Sequence, residues 1–220
     1  MKKKIGIASI VFACFAVLII IFSVIRANWE KVDVNRDINS FRQYDYSDFY
    51  LTPDYKERLV VFPTEIKGNI NEYFHLQKTE DFSSVKNNVY LDITYTAEEY
   101  QKEIERLSNW ERQYTYNEQQ HTAKFLQDKE CKHFNYPAFI ASHNCTFLVY
   151  EYALLLDDYR IVYVYVNSIK EEDMLMEDEY LPKRYYEEVE KFPDVFNNDK
   201  KIYDVYYNNF IYDHLEDFGI

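Results

Sequence analysis

Glycine is nearly missing from this chain: three residues in 220, of which only Gly68 and Gly219 lie beyond the first 25 positions. Dinucleotide fingerprints, P-loops and G-x-S-x-G nucleophile elbows need glycine where backbone turns sharply or approaches a phosphate. None of these motifs fits, which excludes ATP- and NAD-dependent chemistry in its usual forms. Cysteine is equally scarce, with Cys14, Cys131 and Cys145 as the full set. Positive charge is in deficit, at net −13. Without Lys2, Lys3, Lys4 and Arg26, 21 basic residues stand against 38 acidic ones, a net −17. Such a surface repels nucleic acid and anionic headgroups, so neither is expected as a partner of the folded part.

The first thing present is a long apolar run. Ile5 to Ile25 are 21 residues without a charge, which at helical rise spans about 30 Å, one hydrocarbon core. Cleavable signals have apolar regions of about 7–15 residues and a small-residue cleavage site; this run is longer and lacks a good site. Val11-Phe12-Ala13-Cys14 partly matches a lipoprotein box, but apolar residues continue for eleven positions beyond, so Cys14 reads as a membrane residue. Three lysines precede the run, and the positive-inside rule leaves them in the cytoplasm. The expected organisation is a cytoplasmic N-terminus at 1–4, a transmembrane helix at 5–25, a linker at 26–40 and one extracytoplasmic domain at 41–220. In the linker, Asp33-Val34-Asn35-Arg36-Asp37 imitates a calcium loop but has Ile38 and Tyr44 where glycine and glutamate belong.

Tyrosine and phenylalanine are in excess, at 23 and 16. Alternation predicts strands at 69–78, 88–95, 137–142, 146–156 and 159–168, with Arg58–Phe62 as a short edge strand limited by Pro63. Thr96-Ala97-Glu98-Glu99 is a capping box that predicts a helix from Ala97 to Asn109, with Tyr100, Ile104 and Leu107 as its apolar stripe. A weaker helix is expected within 112–129. The short links His143-Asn144 and Asp157-Asp158 make the last three strands antiparallel neighbours. The fold class is therefore α+β: a transmembrane helix followed by a mostly antiparallel sheet with one main packed helix. The aliphatic sheet face is expected to take that helix.

Two groups of residues are candidates for chemistry. Cys131, His133, His143 and Cys145 form the palindrome CKHFNYPAFIASHNC, and Cys2His2 is a legitimate zinc set. If 137–142 is extended, its ends lie roughly 17 Å apart, which opposes convergence. A Cys131–Cys145 disulfide meets the same objection less severely, suits an oxidising compartment, and would add about 3 kcal/mol. The reading adopted is two independent thiols, with the disulfide and the metal as alternatives. The second group is Tyr90, Tyr150, Tyr152, Tyr163 and Tyr165 on the sheet. Rings that both stack and hydrogen-bond suit glycans or extended peptides; the bland alternative is a half-buried face covered by other segments. Glu151 falls among aliphatic neighbours, which means a register error or a buried carboxylate.

NYPAF at 135–139, YEYALL at 150–155, the Tyr/Val strand to Val166 and YLPKRY at 180–185 carry a resemblance. Over roughly 88–186 the chain resembles uncharacterised single-span exported proteins of low-GC Gram-positive bacteria. The resemblance implies the same membrane placement and no particular activity. The leading reading is a non-enzymatic binding or accessory module at the cell surface, anchored by its N-terminal helix, needing no cofactor and contacting a protein or glycan. The rivals are an anchored cell-envelope hydrolase and a small partner subunit of another membrane protein. The last would pack its helix through Gly6, Ala8, Ser9, Ala13 and Ala16.

Overall fold

Side chains two apart in a strand share a face, so alternating sequences can cover both sides of one sheet with apolar groups. This chain does so in a single antiparallel sheet. The computed structural model describes residues 31–41, 59–81, 84–116, 118–144, 149–186 and 203–204, with Val17 and Ile19. The strands are β1 (Lys31–Asn35), β2 (Asn69–Asp81), β3 (Ser84–Thr94), β4 (Glu111–Tyr116), β5 (Gln119–Lys124), β6 (Leu126–Asp128), β7 (Ala138–Asn144), β8 (Val149–Leu155), β9 (Arg160–Asn167) and β10 (Tyr203–Asp204). The helix α1 is Ala97–Asn109, with the bounds its capping box predicts. Eight strands form the main sheet in the order β1-β2-β3-β9-β8-β7, and β6 and β10 share the outer edge of β7. β4 and β5 form a separate two-stranded ribbon.

One face of the sheet carries Tyr73, Val89, Leu91, Ile93, Ile161, Tyr163, Tyr165, Glu151 and Ala153, matched across strands by register. α1 and the segment 59–62 cover it. Phe62 lies 5.7 Å from the Tyr163 ring, and the Tyr163 hydroxyl donates to Glu103 of α1 at 2.6 Å. The other face carries Phe74, Leu76, Tyr90, Tyr150, Tyr152, Leu154, Val162, Val164 and Val166. It is covered by Phe134 and by the chain from Ile169 to Tyr185, which holds two short 3-10 turns, Glu171–Asp173 and Asp178–Tyr180.

Four expectations are corrected here. The helix does not take the valine face of β9; it packs on the face of Tyr163 and Tyr165, because the aliphatic runs of β3 and β9 lie on opposite sides in the observed register. Leu59, Val61 and Phe62 are core residues without belonging to a strand. Residues 112–129 hold the ribbon and β6 rather than a helix. Part of the expected linker at 26–40 is folded: Lys31–Asn35 pairs with β2 and Asp37 caps a 3-10 turn. The expected membrane span lies outside the described residues apart from Val17 and Ile19, both helical and exposed. Among the described residues no helix is long and apolar enough to cross a membrane.

The one described glycine is essential to the sheet's end. Gly68 has φ +90°, and a Cβ there would sit 2.7 Å from the Thr94 carbonyl oxygen. Gly68→Ala is therefore expected to cost about 2 kcal/mol, read as a lowered urea midpoint at unchanged slope.

Candidate functional site

The five sheet tyrosines do not make one accessible surface. Tyr90, Tyr150 and Tyr152 lie on one face and Tyr163 and Tyr165 on the other, and each is between 0% and 3% exposed. The Tyr152 hydroxyl donates to the Tyr180 carbonyl at 2.8 Å, and its ring lies 4.3 Å from Phe134. Tyr90 stacks on Phe74 at 5.1 Å, and Tyr150 meets Tyr185 at 5.3 Å. Burial pushes the hydroxyl pKa of Tyr90, Tyr152 and Tyr163 above the ordinary tyrosine value; nearby Glu103 pushes Tyr163 further. The expected exposed face is thus absent, because α1 and 59–62 clothe one side of the sheet and Phe134 with the irregular chain from Ile169 to Tyr185 clothes the other.

The palindrome is half assembled. β7 is extended as predicted, yet the His133 and His143 rings lie 5.2 Å apart, centre to centre. The chain doubles back to achieve this. Asp128, at the end of β6, accepts hydrogen bonds from the backbone amides of Lys132, His133 and Phe134, at 2.7, 2.7 and 3.2 Å. Cys131 takes a left-handed φ of 54° within this reversal, and its thiol is free. The Lys183 ammonium donates to the Cys131 carbonyl at 2.6 Å and the Lys183 amide to the His133 carbonyl at 2.8 Å, pinning the loop over the sheet. Cys145 lies outside the described residues, so the expected pairing of Cys131 with Cys145 does too. Among the described residues no three of His, Cys, Asp and Glu converge on one point.

Acid–base catalysis needs a carboxylate free to exchange a proton with a substrate. The most buried carboxylates here all have internal partners. Asp92 accepts three hydrogen bonds from Arg160, the closest at 2.5 Å, and one from Asn71, and the Arg160–Asp92 bonding holds the guanidinium above its ordinary pKa. Glu103 accepts from Tyr163 and, through both oxygens, from Arg106. Glu151 is fully buried and accepts the Val61 amide at 2.9 Å, so the buried carboxylate is real, although it lies opposite Tyr165 and not on the valine face of β9. Lys78 and Asp173 pair across the sheet and its covering segment.

What sequence reasoning missed is the ribbon. β4 and β5 pair through six rungs, Glu111↔Lys124 to Tyr116↔Gln119, and the link between them includes Glu118 at φ 64°. Its base is fixed by Trp110 stacked on Phe125, 4.3 Å and 8° apart, and by the buried Ala123. One face alternates Gln113 and Thr115 with Gln120 and Thr122, all exposed. The Thr122 hydroxyl donates to Gln113 at 3.1 Å and the Gln120 amide to Thr115 at 2.8 Å. The only signal in the sequence is the alternating QYTY and QHTA, which reads as strand rather than helix once Thr and Tyr are weighted for β-propensity. Comparison with known protein families, with curated proteins and with solved structures finds no match.

Proposed function

We propose that this chain is a membrane-anchored, non-enzymatic binding or accessory module of the extracytoplasmic face, and that the β4–β5 ribbon is its contact element. The observation that carries the reading is the ribbon's outer face. A two-stranded ribbon alone is marginal in water, yet this one stands outside the main sheet, held at its base by one aromatic stack. In a chain with 29% charged residues, four uncharged side chains that both donate and accept hydrogen bonds form a row there. Such a row suits a neutral polar partner surface, on a protein or a glycan. The internal pairing of Asp92, Glu103, Asp128 and Glu151 supports a structural use of these carboxylates. The apolar run at 5–25, with Lys2, Lys3 and Lys4 before it, supports the anchor and its orientation.

The test is photo-crosslinking in cells from a benzophenone side chain placed at Gln113, at Thr122, and, as a control, at the exposed Glu105 of α1. Discrete adducts from 113 and 122 but not from 105 are expected. Equal labelling from all three positions, or none from the ribbon, contradicts the reading. Replacing 113–122 with Asn-Gly should abolish the adducts while changing stability by less than about 1 kcal/mol, as expected for an exposed element.

A further inference from the structure

We propose that the outer edge of β1 pairs antiparallel with β1 of a second copy of this chain, joining two sheets across a twofold axis. β1 ends the main sheet: its one neighbour is β2, and among the described residues no strand lies beyond it. A strand with one neighbour leaves every second backbone N–H and C=O pointing outwards, a template for another strand. Such edges are commonly blunted by proline, by a bulge or by a covering segment. Lys31–Asn35 contains no proline, its register against β2 runs through five consecutive rungs, and all five residues are exposed. Val32 and Val34 lie on the side of Leu76. They remain 48% and 39% exposed, while Phe74 and Leu76 on that side of β2 are enclosed.

The charges of the strand select its occupant. Opposed residues of an antiparallel pair point to the same side, so a twofold axis passes between a residue and its own copy. At Asp33 it sets two carboxylates opposite each other, which is destabilising. At Val34 it sets Asp33 against Asn35, whose side chain already donates to Ser40 and accepts from the Asp37 amide. At Val32 it sets Lys31 of each copy opposite Asp33 of the other, and Val32 opposite Val32. Within one strand Lys31 and Asp33 lie 3.1 Å apart with 71% and 63% of their side chains exposed, a weak contact that two pairs across the axis can replace. The valines of both copies then share one side and cover each other. An unrelated strand would have to reproduce this order of charges; a second copy has it by symmetry, and the isologous pairing closes at two. On the anchor reading, Lys31 follows the end of the apolar run at Ile25 by six positions. The edge is then held within about 20 Å of the bilayer, where tethering raises the effective concentration of a second copy. The interface shares no residue with the ribbon, so either can fail without the other.

The test uses the full-length chain in cells, with Cys14, Cys131 and Cys145 replaced by alanine, Val32→Cys introduced, and a short bismaleimide added. A covalent dimer of the chain is expected, and none from Glu105→Cys on the exposed side of α1 in the same background. Lys31→Asp opposes carboxylates and Asp33→Lys opposes ammonium groups, so each should lower the dimer yield about three- to ten-fold. Co-expressed with different tags, the two variants should restore the yield as a mixed dimer, because every charge then meets its opposite. No dimer through position 32, a yield indifferent to these charges, or a mixed pair no better than either variant alone would overturn the proposal. Capture of a different protein at position 32 in place of a second copy would overturn it too. Recovery of the chain outside the membrane fraction counts against the anchor alone, and the charge comparison decides the edge in whichever fraction holds the chain.

Discussion

Above about pH 10 the domain should unfold in one steep step rather than titrate tyrosine by tyrosine. Burial raises the hydroxyl pKa of Tyr90, Tyr95, Tyr152, Tyr163 and Tyr185 in the folded state, while the unfolded chain keeps the ordinary value near 10. A folded pKa raised above the unfolded one gives a stabilisation that is complete below the unfolded value. As pH rises past 10 the unfolded chain loses these protons and the folded chain does not, so stability falls. Each group contributes about 1.4 kcal/mol per pH unit, and five together about 7 kcal/mol per unit. Against a domain stability of about 5–15 kcal/mol, that exhausts the fold within one to two units. Beyond the part due to exposed tyrosines, phenolate absorbance and far-ultraviolet circular dichroism should therefore change together, and with hysteresis-free return if unfolding is two-state. Ionisation of the full complement of 23 tyrosines near pH 10 with unchanged dichroism would show that these five are not enclosed.

Asp128→Ala should cost about 3–5 kcal/mol, more than most single changes in this chain. The carboxylate is 2% exposed and accepts three consecutive backbone amides, of which that of Phe134 is buried. Removing it strands donors that each cost about 1–3 kcal/mol when left unmet in the interior. The damage would spread beyond the loop. Phe134 covers Tyr152, and Lys183 anchors the 181–186 segment to the same reversal. Asp128→Asn retains one acceptor oxygen and should cost roughly half as much. Urea unfolding measures both, and the side-chain proton shifts of His133 and His143 should separate as their rings part. A loss below about 1 kcal/mol would mean that the reversal is held by something else.

The sequence was legible where one local rule decides the outcome. Thr96 and Glu99 satisfy each other's backbone partners, and α1 begins and ends where they imply. Val89, Leu91 and Ile93 alternate, and β3 follows. Alternation says which residues of one strand share a face, but not which faces of two strands match; that depends on register. Hence the valines of β9 face the 169–185 chain and not α1. Glu151 was readable as a buried carboxylate, but its partner is an amide 90 residues earlier, on a segment with no regular structure. The approach of His133 to His143 rests on one carboxylate and a left-handed Cys131, neither of which has a periodic signature. The ribbon's glutamines and lysine suit helices, and what makes it a pair of strands is the cross-strand pairing itself.

That the tyrosine load is core and not binding surface is the claim on which the rest depends. Nitration of the native full-length chain with tetranitromethane, mapped by peptide mass spectrometry, tests it directly. The structure predicts early modification of Tyr159, with Tyr90, Tyr150, Tyr152, Tyr163 and Tyr165 protected until denaturant is added. Nitration of those five at the rate of Tyr159 in the native protein would contradict it and return the sheet face to the list of contact surfaces.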